Sequence, residues 1–99
     1  MGAADDEDLT YRVGRAVADE AMVCHELWRY APVVAQSADP RWGRTYESYG
    51  SDLETITKLS TAYTRGLLDG GLVVCAKHYF ADGNVGYGTG EKGDTAMLI

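Results

Sequence analysis

Two short apolar segments, separated by a stretch long enough for a helix, constrain the fold of this 99-residue chain more than any other feature. Residues 30–35 read Tyr-Ala-Pro-Val-Val-Ala, and residues 72–76 read Leu-Val-Val-Cys-Ala. Strands that are apolar on both faces are typical of parallel sheets, in which helices cover both faces. Parallel strands also need a long crossover connection, which the intervening stretch provides. The pattern therefore predicts an α/β fold with parallel strands.

Helical patterns alternate with these strands and produce an α-β-α-β order. Asp8 is the expected N-cap of the first helix, and Ser51 begins a capping-box pattern with Glu54 at the second. Gly14 weakens the first helix unless a neighbouring element packs closely against it. The expected buried faces are Leu9, Val13, Val17 and Ala21 in the first helix, and Leu53, Ile56, Leu59, Tyr63 and Leu67 in the second. We predict one partial domain over residues 1–99, divided into helix 8–26, strand 27–35, motif loop 36–50, helix 51–67, strand 72–78 and glycine-rich loop 83–95.

Two strands and two helices leave the edges of the predicted sheet unpaired. Unpaired edges are templates for further strands, and a two-stranded sheet is marginal in water. We therefore expect either that the chain forms homo-oligomers through its strand edges, or that it is a piece of a larger barrel.

Composition narrows the possible partners. The chain is 45% hydrophobic and 24% charged, which is typical of a folded protein. Its net charge of −6 argues against nucleic acid and against an anionic membrane, since both attract basic surfaces. No apolar run reaches the roughly 20 residues of a membrane span, and no signal peptide is visible. The cellular compartment is left open.

The two cysteines, Cys24 and Cys75, do not have the spacing of a metal or redox motif. We expect both to be reduced packing residues, and we predict neither a metal nor a cofactor. An alternative is a zinc site formed by Cys24, His25 and His78, although a structural zinc site normally has four ligands at recognisable spacing.

A polar motif follows each strand. Residues 39–49 read Asp-Pro-Arg-Trp-Gly-Arg-Thr-Tyr-Glu-Ser-Tyr, and residues 76–83 read Ala-Lys-His-Tyr-Phe-Ala-Asp-Gly. Both motifs lie at the carboxyl ends of predicted parallel strands, so we expect them to form one rim. Such cationic and aromatic residues suit a sugar or an anion. The competing interpretation is a salt-bridged surface turn.

These two motifs, with the Ala-Pro-Val-Val segment before them, resemble the N-terminal barrel domain of family 3 glycoside hydrolases, which includes β-glucosidases, β-xylosidases and exo-glucanases. The resemblance covers most of the chain. It implies about a quarter of a (β/α)8 barrel, comprising helix 2, strand 3, helix 3 and strand 4. It also implies that the parent protein hydrolyses terminal non-reducing β-D-sugar residues.

The resemblance also implies roles for individual residues. Arg44, Lys77 and His78 are expected to bind the hydroxyls of a β-linked glucoside or related sugar. Glu47, Asp82 and Arg41 are expected to orient these cations or support the loop. For Arg41 and for the aromatic residues Trp42, Tyr46 and Tyr49, a structural role in the loop remains the favoured interpretation.

Several positions depart from the family pattern: Ala38 replaces a usual Arg, Ser51 a usual Glu, and Ala81 and Asn84 usual glycines. The family's nucleophile and acid/base lie in later regions, so we predict no catalytic residue here and no glycosidase activity for the chain alone. The alternatives are a self-associating fragment without native activity and an unrelated activity based on Lys77 and His78. The family has non-proline cis peptides near this site, but we expect the Lys77–His78 link of the isolated chain to be trans.

Overall fold

The computed structural model describes residues 1–79 and 82–84. It contains helix α1 (Glu7–Val23), strand β1 (Trp28–Arg29), a 3₁₀ turn (Thr45–Glu47), helix α2 (Leu53–Asp69) and strand β2 (Val73–Val74). The two strands are parallel. The predicted α-β-α-β order with parallel strands is thus confirmed. Most of the predicted glycine-rich loop 83–95 lies outside the described residues.

The first helix is shorter at its end than the predicted range 8–26. It stops at Val23, and His25 beyond it has a φ of 59°, in the left-handed region that terminates helices. Its N-cap is Asp6, not Asp8, because the Asp6 carboxylate accepts a hydrogen bond from the backbone N–H of Leu9 at 2.9 Å.

The second helix is shifted relative to the predicted range 51–67. Its N-cap is Asp52 rather than Ser51, and the Asp52 carboxylate accepts from the N–H of Thr55 at 2.8 Å. Because Asp52 occupies the cap, the first helical residue is Leu53. The helix runs on to Asp69, two residues before Gly71, whose φ of 91° lies in the left-handed region.

The strands are much less regular than the predicted ranges 27–35 and 72–78. Beyond Arg29 the pairing resumes only at a single bridge between Val33 and Lys77. Three residues separate Arg29 from Val33, but only two separate Val74 from Lys77, so the first strand carries one extra residue. Pro32 lies within this bulge, where its missing N–H is tolerated.

Two peptide bonds in this region are cis. One is Ala31–Pro32 and the other is Lys77–His78. The expectation of a trans Lys77–His78 link was therefore wrong.

The two helices cross at a pair of glycines. A Cβ atom on Gly14 would lie 2.6 Å from the carbonyl oxygen of Tyr63, and one on Gly66 would lie 2.4 Å from that of Tyr11. Gly14 was expected to weaken α1 unless a neighbouring element packs closely against it, and α2 does pack closely there. The buried face of α1 consists of small residues, Thr10, Gly14, Ala18 and Ala21. The predicted apolar stripe was wrong for Leu9, which is exposed, since this close crossing has no room for large side chains.

Three small apolar clusters stabilise the fold. Ala18, Ala21, Leu67 and Leu72 join the helices to the sheet, Tyr49, Ile56 and Leu59 form a second cluster, and Ala35 and Trp42 form a third below the motif loop. Leu53 was expected to be buried but is 63% exposed. Neither helix in the described part of the chain is long and apolar enough to cross a membrane.

Candidate functional site

The predicted site residues of the two motifs meet at the carboxyl ends of the strands. Arg44 lies next to the 3₁₀ turn of the motif loop, and its Nη1 atom is 3.4 Å from Nε2 of His78. The other ring nitrogen of His78, Nδ1, is 2.8 Å from Oδ2 of Asp82. The Nδ1 contact is close enough for an ion pair but is not aligned as a hydrogen bond. The structure therefore links both motifs through one histidine.

Glu47 holds the opposite side of the Arg44 guanidinium. Its Oε2 atom accepts from Nη2 at 2.7 Å and from Nε at 3.1 Å, and both side chains are about three-quarters buried. These hydrogen bonds lower the pKa of Glu47, and the ammonium of Lys77 adds a weaker attraction. Glu47 is therefore ionised at neutral pH and fixes the direction of Arg44.

Lys77 is positioned by the backbone rather than by a helix or a regular strand. Its N–H donates to the carbonyl of Pro32 at 2.9 Å, and its carbonyl accepts from the N–H of Val34 at 2.7 Å. The side chain is partly buried, and its ammonium is near enough to Glu47 to contribute to the lowered pKa of that carboxyl. Arg44, Lys77 and His78, the three predicted sugar-binding residues, are thus brought together.

Arg41 has a different environment. It forms a bidentate pair with Asp39, with distances of 2.6 and 3.0 Å, and its side chain is 62% exposed. Asp39 also accepts from the backbone N–H of Arg41, so the pair closes the turn at the start of the motif. This geometry fits the predicted support of the loop more than the orientation of Arg44.

The aromatic residues of the motif loop divide into two kinds. Trp42 is 2% exposed and Tyr49 is 8% exposed, as expected for packing residues. Burial raises the pKa of Tyr49 to about 12. Tyr46, by contrast, is 82% exposed, so its predicted packing role was wrong. The 3₁₀ turn directs Tyr46 away from the cluster that holds Trp42.

Sequence reasoning missed the structural role of two residues that shape the site. Asp39 was given no role of its own by the sequence analysis, although Asp before Pro is a recognisable turn signal. Gly83 has a φ of 80°, and a Cβ there would lie 2.7 Å from the carbonyl oxygen of Gln36 and 2.9 Å from the Trp42 ring. No sequence signal reveals that contact, because it joins residues 41 positions apart in the chain.

The geometry bears on two alternative chemistries, a metal site and a general base at His78. Among the described residues, no group of three or more His, Cys, Asp or Glu side chains is arranged to hold a metal ion. A general base at His78 needs an available lone pair, but Nε2 faces the guanidinium of Arg44. The arrangement suits the recognition of a polar ligand better than proton abstraction.

The comparison with known families identifies the family of the chain. Residues 1–96 match the family profile described as the Glycosyl hydrolase family 3 N terminal domain. The chain belongs to glycosyl hydrolase family 3. The predicted resemblance and the predicted fragment of a (β/α)8 barrel are both confirmed, since the structural neighbours have barrel domains of this type.

Relatives in family 3 include enzymes named for two sugars. Beta-D-xylosidase 1 of Arabidopsis thaliana is 33% identical over 90 residues, which cover 80% of this chain and 12% of the relative. Beta-glucosidase B of Emericella nidulans is 33% identical over 82 residues, which cover 83% of this chain and 10% of the relative. The chain thus spans about a tenth of the length of the relatives that it matches.

Solved structures of family 3 proteins superpose closely on the chain. Beta-glucoside phosphorylase BglX bound to 2FGlc has a TM-score of 0.81 and 30% identity, over 85% of this chain and 15% of that protein. The beta-glucosidase from Listeria innocua has a TM-score of 0.82 and 26% identity, over 86% of this chain and 13% of that protein.

Proposed function

We propose that this chain is the sugar-binding segment of a family 3 enzyme that acts on terminal β-D-glucosyl or β-D-xylosyl residues. The observation that carries the proposal is the convergence of Arg44, Lys77 and His78 at one end of the sheet, with Glu47 and Asp82 beside them. Hydrogen-bonding side chains held beside carboxylates are well suited to recognise the vicinal hydroxyls of a sugar.

In this proposal the segment binds the sugar and does not determine whether water or phosphate attacks it. Among the relatives and neighbours, some are named β-glucosidases or β-xylosidases and one is named a β-glucoside phosphorylase. Hydrolysis and phosphorolysis differ in the attacking group, water or phosphate, but have the glycosyl group in common. A segment found in both kinds of enzyme is therefore proposed to contact that common group.

The carboxylates of this site are orienting groups and not the reactive pair of a glycosidase. A general acid needs a raised pKa, whereas the ion pair with Arg44 lowers the pKa of Glu47. Asp82 is held beside the ring of His78. We propose that the nucleophile and the acid/base belong to other parts of the parent protein, and that the chain alone has no glycosidase activity.

We expect the chain to bind methyl β-D-glucoside or methyl β-D-xyloside no more tightly than about 1 mM, because few contacts offset the cost of association. Arg44→Ala should abolish the binding, as measured by chemical-shift changes in a two-dimensional NMR titration. Arg12→Ala is the matched control, since Arg12 is an exposed α1 residue paired with Asp8. Equal shifts in wild type and Arg44→Ala would contradict the proposal.

The same chain mixed with nitrophenyl β-D-glucoside should release nitrophenol no faster than its Lys77→Ala variant does. Turnover that is lost in Lys77→Ala would instead favour the alternative of an activity based on Lys77 and His78.

Self-association is a second proposal, and it is favoured by the exposed face of the sheet. Trp28 and Tyr30 lie on the face opposite the helices, next to Val73, and are 58%, 71% and 54% exposed. Their neighbours in sequence, Ala31 and Val74, pack against the helices instead. The chain covers only 15% of beta-glucoside phosphorylase BglX. In a solution of the isolated chain, these exposed apolar side chains can be covered by a second copy of the chain.

We expect the isolated chain to form homo-oligomers whose sedimentation depends on concentration. The double variant Trp28→Ser/Tyr30→Ser should shift the distribution to monomer, because it removes the apolar area that association buries. Tyr46→Ser serves as the control, since Tyr46 is also an exposed aromatic residue but lies in the motif loop. A wild-type chain that stays monomeric at every accessible concentration would contradict this proposal.

A further inference from the structure

His78 stands between two groups that both demand the same tautomer. The guanidinium of Arg44 has only donors, so a contact of its Nη1 with Nε2 of His78 at 3.4 Å requires a lone pair on Nε2. The carboxylate of Asp82 has only lone pairs, so Nδ1 at 2.8 Å from it must carry the proton. The neutral ring with its proton on Nδ1 turns an N–H toward the carboxylate and a lone pair toward the guanidinium, although the short Nδ1 contact is not aligned as a hydrogen bond.

The opposite tautomer is disfavoured at both ends. It would place a lone pair of Nδ1 against the Asp82 carboxylate and an N–H of Nε2 against the Arg44 guanidinium. Each of these contacts would be repulsive, and the partly buried site screens them less than water would. The charged neighbours of the ring are therefore the source of its proton arrangement.

The backbone fixes the position of Asp82 independently of His78. Its carbonyl accepts from the N–H of Gln36 at 3.1 Å, and the carbonyl of Gly83 accepts from the N–H of Ala38 at 3.3 Å. The close approach of Gly83 to the buried Trp42 ring holds the same segment from below. Asp82 is thus anchored to the motif loop that also carries Arg44.

We propose that Asp82 is a positioning residue that acts through the Nδ1-protonated tautomer of His78 to hold Arg44 in place for the sugar. Glu47 orients the guanidinium from one side, and the Nε2 lone pair of His78 orients it from the other. In this proposal Asp82 acts through His78 and not by contacting the sugar. The role assigned to Arg44 rests on the proposed function, whereas the tautomer and the order of the Arg44 side chain do not depend on it.

The tautomer is tested by ¹⁵N NMR of the imidazole nitrogens in the ligand-free chain. The chain has two histidines, and a His25→Asn variant leaves His78 as the only imidazole, with a residue that tolerates the positive φ at position 25. We expect the neutral form of His78 to carry its proton on Nδ1. A proton on Nε2 in this chain would overturn the proposal and needs no further variant.

The positioning role is tested by Asp82→Asn. An asparagine side chain can donate an N–H to Nδ1 and so favour the wrong tautomer, as it does in the serine-protease triad. We expect the His78 proton to move to Nε2, and the Arg44 Nη–H signals to lose order in heteronuclear NOE measurements because Nη1 is the atom that faces His78. Sugar affinity should fall by about tenfold, the effect of losing one hydrogen bond to a charged group. Asp19→Asn is the matched control, because Asp19 pairs with Arg15 on the exposed side of α1.

The outcomes separate this inference from the proposed function. A tautomer change with an Arg44 side chain that stays ordered would overturn the positioning role. Absence of sugar binding in the wild type would remove the proposed function, while the tautomer and the Arg44 signal still decide the inference. If Asp82→Asn does not fold, the order of Arg44 in His78→Gln gives the same test, with loss of order expected and retention overturning the proposal.

Discussion

Trp42→Ala is expected to lower the free energy of unfolding by about 3–5 kcal/mol, the usual effect of removing a fully buried aromatic side chain. Trp42 is 2% exposed and packs with Ala35 and Val33 under the motif loop. Its ring also supports Gly83, from which the position of Asp82 follows. Because small domains are stable by only about 5–15 kcal/mol, such a loss removes a large part of the total.

Trp42→Ala should destabilise the motif loop and the site more than the helices. The cluster around Trp42 is separate from the cluster that joins α1 and α2 to the sheet. We therefore expect far-UV circular dichroism to retain most of the helical signal at low denaturant, while binding of methyl β-D-glucoside disappears.

Urea unfolding at fixed protein concentration measures the loss in stability, with Tyr46→Ala as the control. Tyr46 is an aromatic residue of the same loop but is 82% exposed, so its removal should change the free energy of unfolding by less than about 0.5 kcal/mol. Trp28→Phe leaves Trp42 as the only tryptophan, and its fluorescence should be resistant to acrylamide. Equal stability of the two alanine variants, or strong quenching of Trp42, would show that the ring is not buried.

Gly66→Ala is expected to lower the free energy of unfolding by about 1–3 kcal/mol, the usual range for overpacking. Alanine is the better helix former by about 1 kcal/mol, so helix propensity alone predicts the opposite sign. The added Cβ would lie 2.4 Å from the carbonyl oxygen of Tyr11 and 2.9 Å from the backbone nitrogen of Arg15. Backbone atoms cannot turn aside as a flexible side chain can, so α1 and α2 must move apart.

Gly43→Ala provides the matched control. Nothing lies within 4 Å of a Cβ built at Gly43, and its φ is not in the left-handed region. Thermal unfolding of the two variants separates the steric cost from the general effect of replacing glycine. A Gly66→Ala variant that melts above wild type would contradict the close helix crossing.

The convergence of the two motifs could be predicted without coordinates. Carboxyl ends of parallel strands meet at one edge, so Arg44 and His78 were expected to be close. The contact at 3.4 Å agrees with that reasoning. The irregular pairing of the strands could not be predicted from the sequence. The bulge at Pro32 depends on pairing with residues more than forty positions away.

The sequence by itself determined the α/β order, the parallel strands and the family, since these follow from apolar runs and from residue strings that are local in the chain. The tertiary structure decided that Thr10, Gly14 and Ala18 are buried and that Leu9 is not, since the backbone approach at Gly14 and Gly66 leaves little room for a large side chain. It also decided how each arginine of the motif is held, because the fold of the loop places Arg44 beside His78 and pairs Arg41 with Asp39.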